Sequence, residues 1–418
     1  MSSHCTIAEV NFLIWIRADV YSGANGMTVT GHNKKNLDKL HFTHIHLQNW
    51  RNFINVDVDL QDRVFLVGPN ASGKSNFLDV FRFLEDLVTI EGGGLQSALK
   101  KRGGVSGLRS LAARQHPDVV IDVSIGNKEY PELWRYKLHF NQDKQKDPRI
   151  IKEQVFFKQI SKLNRPYESD KKDPARLTQT YLENVTINRE FRDIAEFFKS
   201  IRYLHIVPQL IREPDRSFGH KNDPFGGDFL DQIMSVNKKT RESNLKKIEK
   251  ALNIAVPHLT KITIQADEKG KPHLKGNYEH WRPQGAWQTE KQFSDGTLRL
   301  MGLLWSLLNG SGPLLLEEPE LSLHPEVIRH IPQMFARIQR KTSRQIITST
   351  HSSELLLDEG IGLDEVLLLI PSREGTEVKP ASSIEDAECL LQGGSTLADV
   401  VIPSTSPKNS IQLSRFGD

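Results

Sequence analysis

Four groups of residues could do phosphate chemistry. The first is Gly68-Pro69-Asn70-Ala71-Ser72-Gly73-Lys74-Ser75-Asn76, which fits the spacing G-x-x-x-x-G-K-[ST] of a phosphate-binding loop. Glycines let the backbone curl until its N–H groups converge on an anion. A helix beginning there adds its positive dipole end and unpaired N–H groups. Lys74 supplies a mobile charge for the β and γ phosphates, and the Ser75 hydroxyl is a ligand for Mg²⁺. Together the run Asn70 to Asn76 is the expected ATP cradle.

The second group is Glu317-Glu318, at the end of the apolar run Leu314 to Leu316. In doubly wound folds the C-terminal ends of strands face the ligand. One carboxylate, Glu317, can hold hydrated Mg²⁺, and Glu318 can position and polarise the attacking water. The third is His351, ending the strand-like run Gln345 to Thr350, where it can donate to a γ-phosphate. Ser294 and Gly296 precede the helical run Leu298 to Leu308, a start that can also cradle an anion or serve as an ordinary cap.

The surrounding elements follow from period. Leu40–Leu47 and Val56–Leu60 alternate as strands around the turn Gln48–Phe53, and Val64–Val67 is the strand feeding the loop. Phe77, Val80, Phe81 and Leu84 share a helix face after it. Val119–Ile125 and Trp134–Phe140 read as a hairpin, with Glu153–Phe157 as a third strand. Residues 141–149 and 161–178 read as exposed loops, and Lys100-Lys101-Arg102 as a solvated loop or a phosphate contact. Ile201–Val207 is a further strand. Asp228–Leu252 is a basic helix, followed by a hairpin over Lys261–Gln265 and Leu274–Tyr278, with Trp281 and Trp287 in a loop. His44 and His46 share a strand face and read as solvated rather than as metal ligands.

The chain has 418 residues and a net charge of +3, enough length for a large core and too little charge to demand or exclude nucleic acid. Its two cysteines, Cys5 and Cys389, make no disulfide framework or zinc pattern and suit a reducing cytoplasm. No apolar run reaches membrane-spanning length. The expected organisation is an N-terminal extension (1–36, with Met27 an alternative start), a lobe with the phosphate loop (37–213), a helical and hairpin insertion (214–290), a second lobe (291–381) and a tail (382–418). The tail's Leu390, Leu391, Leu397, Val400, Val401 and Ile402 should pack on the body or on another chain, and Ser410–Phe416 alternates like a strand seeking a sheet edge.

Gly68–Ser75, Phe293–Thr297, Leu314–Glu318, Glu320–Pro325 and His351 together resemble the ABC-type ATPase head of the RecF/SMC/OLD branch. They correspond to its Walker A, signature, Walker B, D-loop and switch histidine, and Leu47–Phe53 is similar to its opening N-F-R turn. The form E-E-P-E-L-S-L-H-P is similar to ATPases of Septu, PARIS and OLD-type anti-phage systems. The resemblance implies an α/β fold with a mixed, mostly parallel sheet, flanking helices, an antiparallel β lobe and a helical insertion. It implies ATP and Mg²⁺ as cofactors, a head-to-tail homodimer or higher oligomer with Ser294 closing the partner's ATP, and Gln209 as the Q-loop residue. It further implies a regulator of a separate effector nuclease, or alternatively a RecF-like clamp on DNA. Two positions depart from the pattern: Glu317 stands where an aspartate is usual, and the signature reads Ser-Asp-Gly-Thr. No nuclease motif is visible in this sequence.

Overall fold

The computed structural model describes residues 40–89, 92–113, 118–213, 223–281, 285–406 and 410–415. The expected extension 1–36 lies outside them. One sheet is antiparallel and six-stranded. It comprises β1 (His41–Trp50), β2 (Phe53–Asp59), β4 (Val119–Gly126), β5 (Trp134–Gln142), β6 (Pro148–Phe157) and β7 (Ile160–Arg165), in the order β2-β1-β4-β5-β6-β7. Alternation along β1 and β5 buries Phe42, Ile45, Leu47, Tyr136 and Leu138 on one face.

The central sheet has β3 (Arg63–Val67), β8 (Arg202–Leu204), β12 (Leu314–Glu317), β13 (Ile346–Thr350), β14 (Val366–Pro371) and β15 (Thr376–Pro380), in the order β15-β14-β3-β13-β12-β8. All neighbours pair in parallel except β14 and β15. Parallel strands are covered on both faces, so β3 and β13 are buried along their whole length, and after Arg63 they read as apolar, β-branched or small residues. Register aligns Val67 with Thr350 and Ser349 with Glu317. The C-terminal ends of β3, β12 and β13 therefore meet along one margin, and β8 joins them through Leu204 opposite Leu316.

The helix Lys74–Val88 runs between the two sheets. Its Phe81 meets Phe42 of β1 at a ring separation of 4.7 Å, and Phe53 meets its Phe77 at 6.1 Å. A third, three-stranded antiparallel sheet contains β9 (Leu259–Ala266), β10 (Pro272–Tyr278) and β11 (Ala286–Thr289). With the helices Phe229–Ser235, Lys238–Ala255 and Asp295–Leu308 it builds one apolar core around Leu245, Ile248, Leu274, Phe293 and Met301.

Several expectations are corrected. The basic helix expected over Asp228–Leu252 is two helices, because Asn237 turns out of the helical region and accepts from the Thr240 N–H as an N-cap. Trp287 lies in β11 rather than in a loop. In the Lys100–Arg102 run, Lys100 and Lys101 are exposed, as the solvated reading expects, but Arg102 is not. Arg102 is buried against Asp79 and Asp86 of the helix Lys74–Val88, at 2.8 Å from each. Residues 161–178 are not simply exposed loop, since Arg165 and Asp170 are fully buried.

The expected tail is part of the body. Thr396 caps the helix Leu397–Thr405, whose Leu397, Ala398 and Val401 enter the core that β3, β12 and β14 share. The terminal run Ser410–Arg415 is a 3-10 helix, so no strand is left there to seek a sheet edge. Val401→Ala, at a fully buried position, is expected to cost about 1–3 kcal/mol by denaturant midpoint. Leu390→Ala, at a position 45% exposed, should shift the same midpoint by less than about 0.5 kcal/mol. Equal losses at both sites would contradict the packing.

Candidate active site at the strand ends

The phosphate loop is held from behind. Gly73 adopts φ +98°, and a Cβ there would lie 2.2 Å from the Asn52 side-chain nitrogen. Asn52, in the turn between β1 and β2, donates to the Ser72 carbonyl (2.9 Å) and to Thr376 Oγ1 (2.8 Å), and accepts from Asn76 Nδ2 (2.7 Å). Asn76 therefore serves the scaffold of the loop, and its carbonyl also accepts from Trp50 Nε1 at 2.9 Å. Asn70 and Ala71 are exposed at the loop tip, and Ala71 is left-handed at φ 62°. Ser72 is buried within the loop, and its hydroxyl has no hydrogen-bond partner among the described residues.

Lys74 is buried and donates to the carbonyls of Gly68 (2.8 Å) and Pro69 (3.1 Å). Burial pushes its ammonium below the usual lysine range, while the carboxylates of Glu318, Glu320 and Glu317 oppose that shift. Ser75, the first exposed residue of the helix, donates from its hydroxyl to Glu317 Oε1. The opposite oxygen, Oε2, accepts from the Tyr203 hydroxyl. A serine hydroxyl touching a carboxylate is a hard-oxygen donor set that fits Mg²⁺. When bound, Mg²⁺ would supply charge neutralisation at the nucleotide's phosphates. Ser75 and Glu317 are the residues that could hold it.

Glu318 follows at φ 44°, an unusual conformation for a side chain of this size. Its N–H donates to the Ser349 carbonyl at 3.1 Å, which fixes the turn out of β12 against β13. Its Oε1 lies 3.2 Å from Nδ1 of His351, which leaves the end of β13. The site thus brings a carboxylate and an imidazole together, able to orient a water and pass a proton. Glu320 stands just beyond, 4% exposed, accepting from Thr350 Oγ1 at 2.5 Å. Burial pushes its carboxyl up to about 7.

Ser294 is the N-cap of the helix Asp295–Leu308 and accepts from the Thr297 N–H at 3.2 Å. Gly296 passes close to the backbone after Walker B, where a Cβ would come within 2.5 Å of the Ser322 carbonyl. Arg212 braces this helix start through Asp295 (2.5 Å) and the Phe293 carbonyl (2.7 Å). Gln209 stands exposed on the short helix Pro208–Arg212. The contacts from that stretch to Glu317 come instead from Tyr203 and from His205, whose Nδ1 lies 3.4 Å from the Glu317 carbonyl oxygen. Asn52, Tyr203 and Glu320 were missed as functional candidates. Asn52 lay within the recognised N-F-R turn and Glu320 within the E-E-P-E run, whereas Tyr203 left no spacing signal. His44 is spent on Asp57 and Asp59, and His46 on Asn55.

A phosphate loop, paired carboxylates and a histidine converging on the ends of parallel strands are the elements of a P-loop ATPase. The chain belongs to the family described as "AAA domain, putative AbiEii toxin, Type IV TA system", which matches residues 63–358, more than half of its length. It is similar in structure to an SMC head solved with the C-winged helix domain of ScpA, at 12% identity, over 81% of this chain and 97% of that one, with a TM-score of 0.50. An SMC head domain from Thermotoga maritima matches at 14% identity over 81% of this chain and 98% of that one, with a TM-score of 0.41. A Smc head with an extended coiled coil, bound to the C-terminal domain of ScpA from Pyrococcus furiosus, matches at 12% identity over 85% of this chain and 99% of that one (TM-score 0.47). At such identities the likeness is one of fold. No curated protein matches the sequence. Among the described residues, no helix is long and apolar enough to cross a membrane.

Proposed function

We propose that the protein is a Mg²⁺-dependent ATPase that dimerises on ATP and controls a separate effector nuclease in bacterial anti-phage defence. The observation that carries the chemical part is the convergence of Lys74, Ser75, Glu317, Glu318 and His351 at one margin of the sheet. The toxin-antitoxin description of the family supports a defence setting. The SMC head solved with a winged-helix domain of ScpA offers a precedent for a partner docking on such a head.

In the dimer, Ser294 of one protomer would close the ATP held by Lys74 of its partner. In a Glu318→Gln background, ATP with Mg²⁺ is expected to give a stable dimer by native mass. Adding Ser294→Arg inserts bulk and charge at that interface and should return the protein to monomer. An unchanged ATP-dependent dimer in the double variant would refute the arrangement. Isolation of the native complex from its own operon tests the effector.

A second reading, clamping of DNA, draws support from the helix Lys238–Ala255, whose Lys238, Lys239, Lys246, Lys247 and Lys250 are exposed. Reversing the charge of Lys246, Lys247 and Lys250 should then weaken duplex binding and flatten its salt dependence. Absence of duplex binding by the parent protein at low salt would remove this reading.

A further inference from the structure

We propose that Tyr203 is a positioning residue that adapts the metal site to a glutamate in place of the usual aspartate. The inference rests on Glu317 being the Mg²⁺ carboxylate. A glutamate has one more rotatable bond than an aspartate, so its carboxylate sweeps a wider arc. Mg²⁺ demands near-ideal octahedral geometry at short distance, so such freedom weakens binding unless something removes it.

Tyr203 removes it. β8 pairs in parallel with β12, and Tyr203 stands opposite Leu315, on the face that Glu317 shares two residues further along. Two residues span about 7 Å of strand, the reach of a phenol. The Tyr203 hydroxyl closes that gap and donates to Glu317 Oε2, leaving Oε1 toward Ser75. The ring is itself fixed, since the Arg82 guanidinium, carried by the helix Lys74–Val88, lies 4.2 Å from its centroid. The same helix carries Lys74 and Ser75, so metal ligand, phosphate lysine and positioning residue are tied to one rigid element.

The test uses the full chain in the Glu318→Gln background, with binding of a fluorescent ATP analogue followed against Mg²⁺ concentration. Tyr203→Phe is expected to raise the half-saturating Mg²⁺ concentration about 10–100-fold. Analogue binding in EDTA and the melting temperature should stay at the parental values. On Glu317→Asp, whose shorter arm no longer reaches the phenol, Tyr203→Phe should add little, and that non-additivity is the signature of positioning. Parental Mg²⁺ dependence in Tyr203→Phe overturns the proposal, as does a loss of metal-free binding. If Tyr203→Phe lowers the melting temperature, Arg82→Gln decides, with a shift in the same direction expected and no shift overturning it. Parental Mg²⁺ dependence in Glu317→Gln would instead overturn the metal assignment beneath it.

Discussion

Lys74→Ala is expected to abolish ATP binding, whereas Glu318→Gln should keep binding and cut turnover by about 10²–10⁴-fold. The two effects separate because the two side chains do different work. Lys74 is buried in the loop and supplies the positive charge that offsets phosphate. Alanine leaves the backbone N–H groups but no countercharge. Glu318 touches His351 rather than the loop. Glutamine fills its space yet cannot accept a proton from water. Equilibrium binding of labelled ATP and steady-state phosphate release measure both. Parental hydrolysis by Glu318→Gln would move the base elsewhere, and Glu320, which burial holds near neutrality, would be the next residue to examine.

The second large effect is on stability. Arg165 is fully buried and 3.0 Å from Glu153 and 3.1 Å from Asp170, and both carboxylates are also fully buried. Its guanidinium also donates to the Gln179 (2.9 Å) and Arg176 (2.8 Å) carbonyls and stacks on Tyr181 at 3.8 Å. Arg165→Met keeps much of the volume but leaves buried Glu153 without a cation and Asp170 with Arg176 alone (3.0 Å), and is expected to cost about 3–5 kcal/mol in denaturant unfolding. Adding Glu153→Gln and Asp170→Asn removes the stranded charges and should recover part of that loss. No recovery would mean that packing, not charge, is what Arg165 supplies.

The loop at Gly68–Ser75, the strand ending in Glu317 and the strand leading to His351 were legible as elements because each is a contiguous run whose residue types and spacing carry their own signal. The parallel sheet was legible because Val64–Val67 of β3 and Leu314–Leu316 of β12 are apolar runs of strand length, and β13 is a β-branched and small-residue run of the same length. Illegible features depend on contacts far apart in sequence. Arg102 looks like a surface cation until Asp79 and Asp86 are brought to it by folding. Tyr203 is one aromatic in a short strand until β8 is placed beside β12. The tail's apolar residues could serve any surface, and only the placement of Val401 in the shared core shows which. The break at Asn237 was hidden by an apolar period that continues across it, where a local cap outcompetes one more helical turn.

The contact between Asn52 and Gly73 also bears on how this sequence can change over generations. The Asn52 amide fills the space a side chain at position 73 would need, and that position already sits in a backbone region closed to most residues. A replacement at 73 is therefore blocked twice, by its own conformation and by its neighbour. A replacement at 52 frees the space but takes the support from Ser72, Thr376 and Asn76 at once. Neither position can drift alone, so the two should be inherited as a pair, and a lineage that has lost one should have rebuilt the loop around the other.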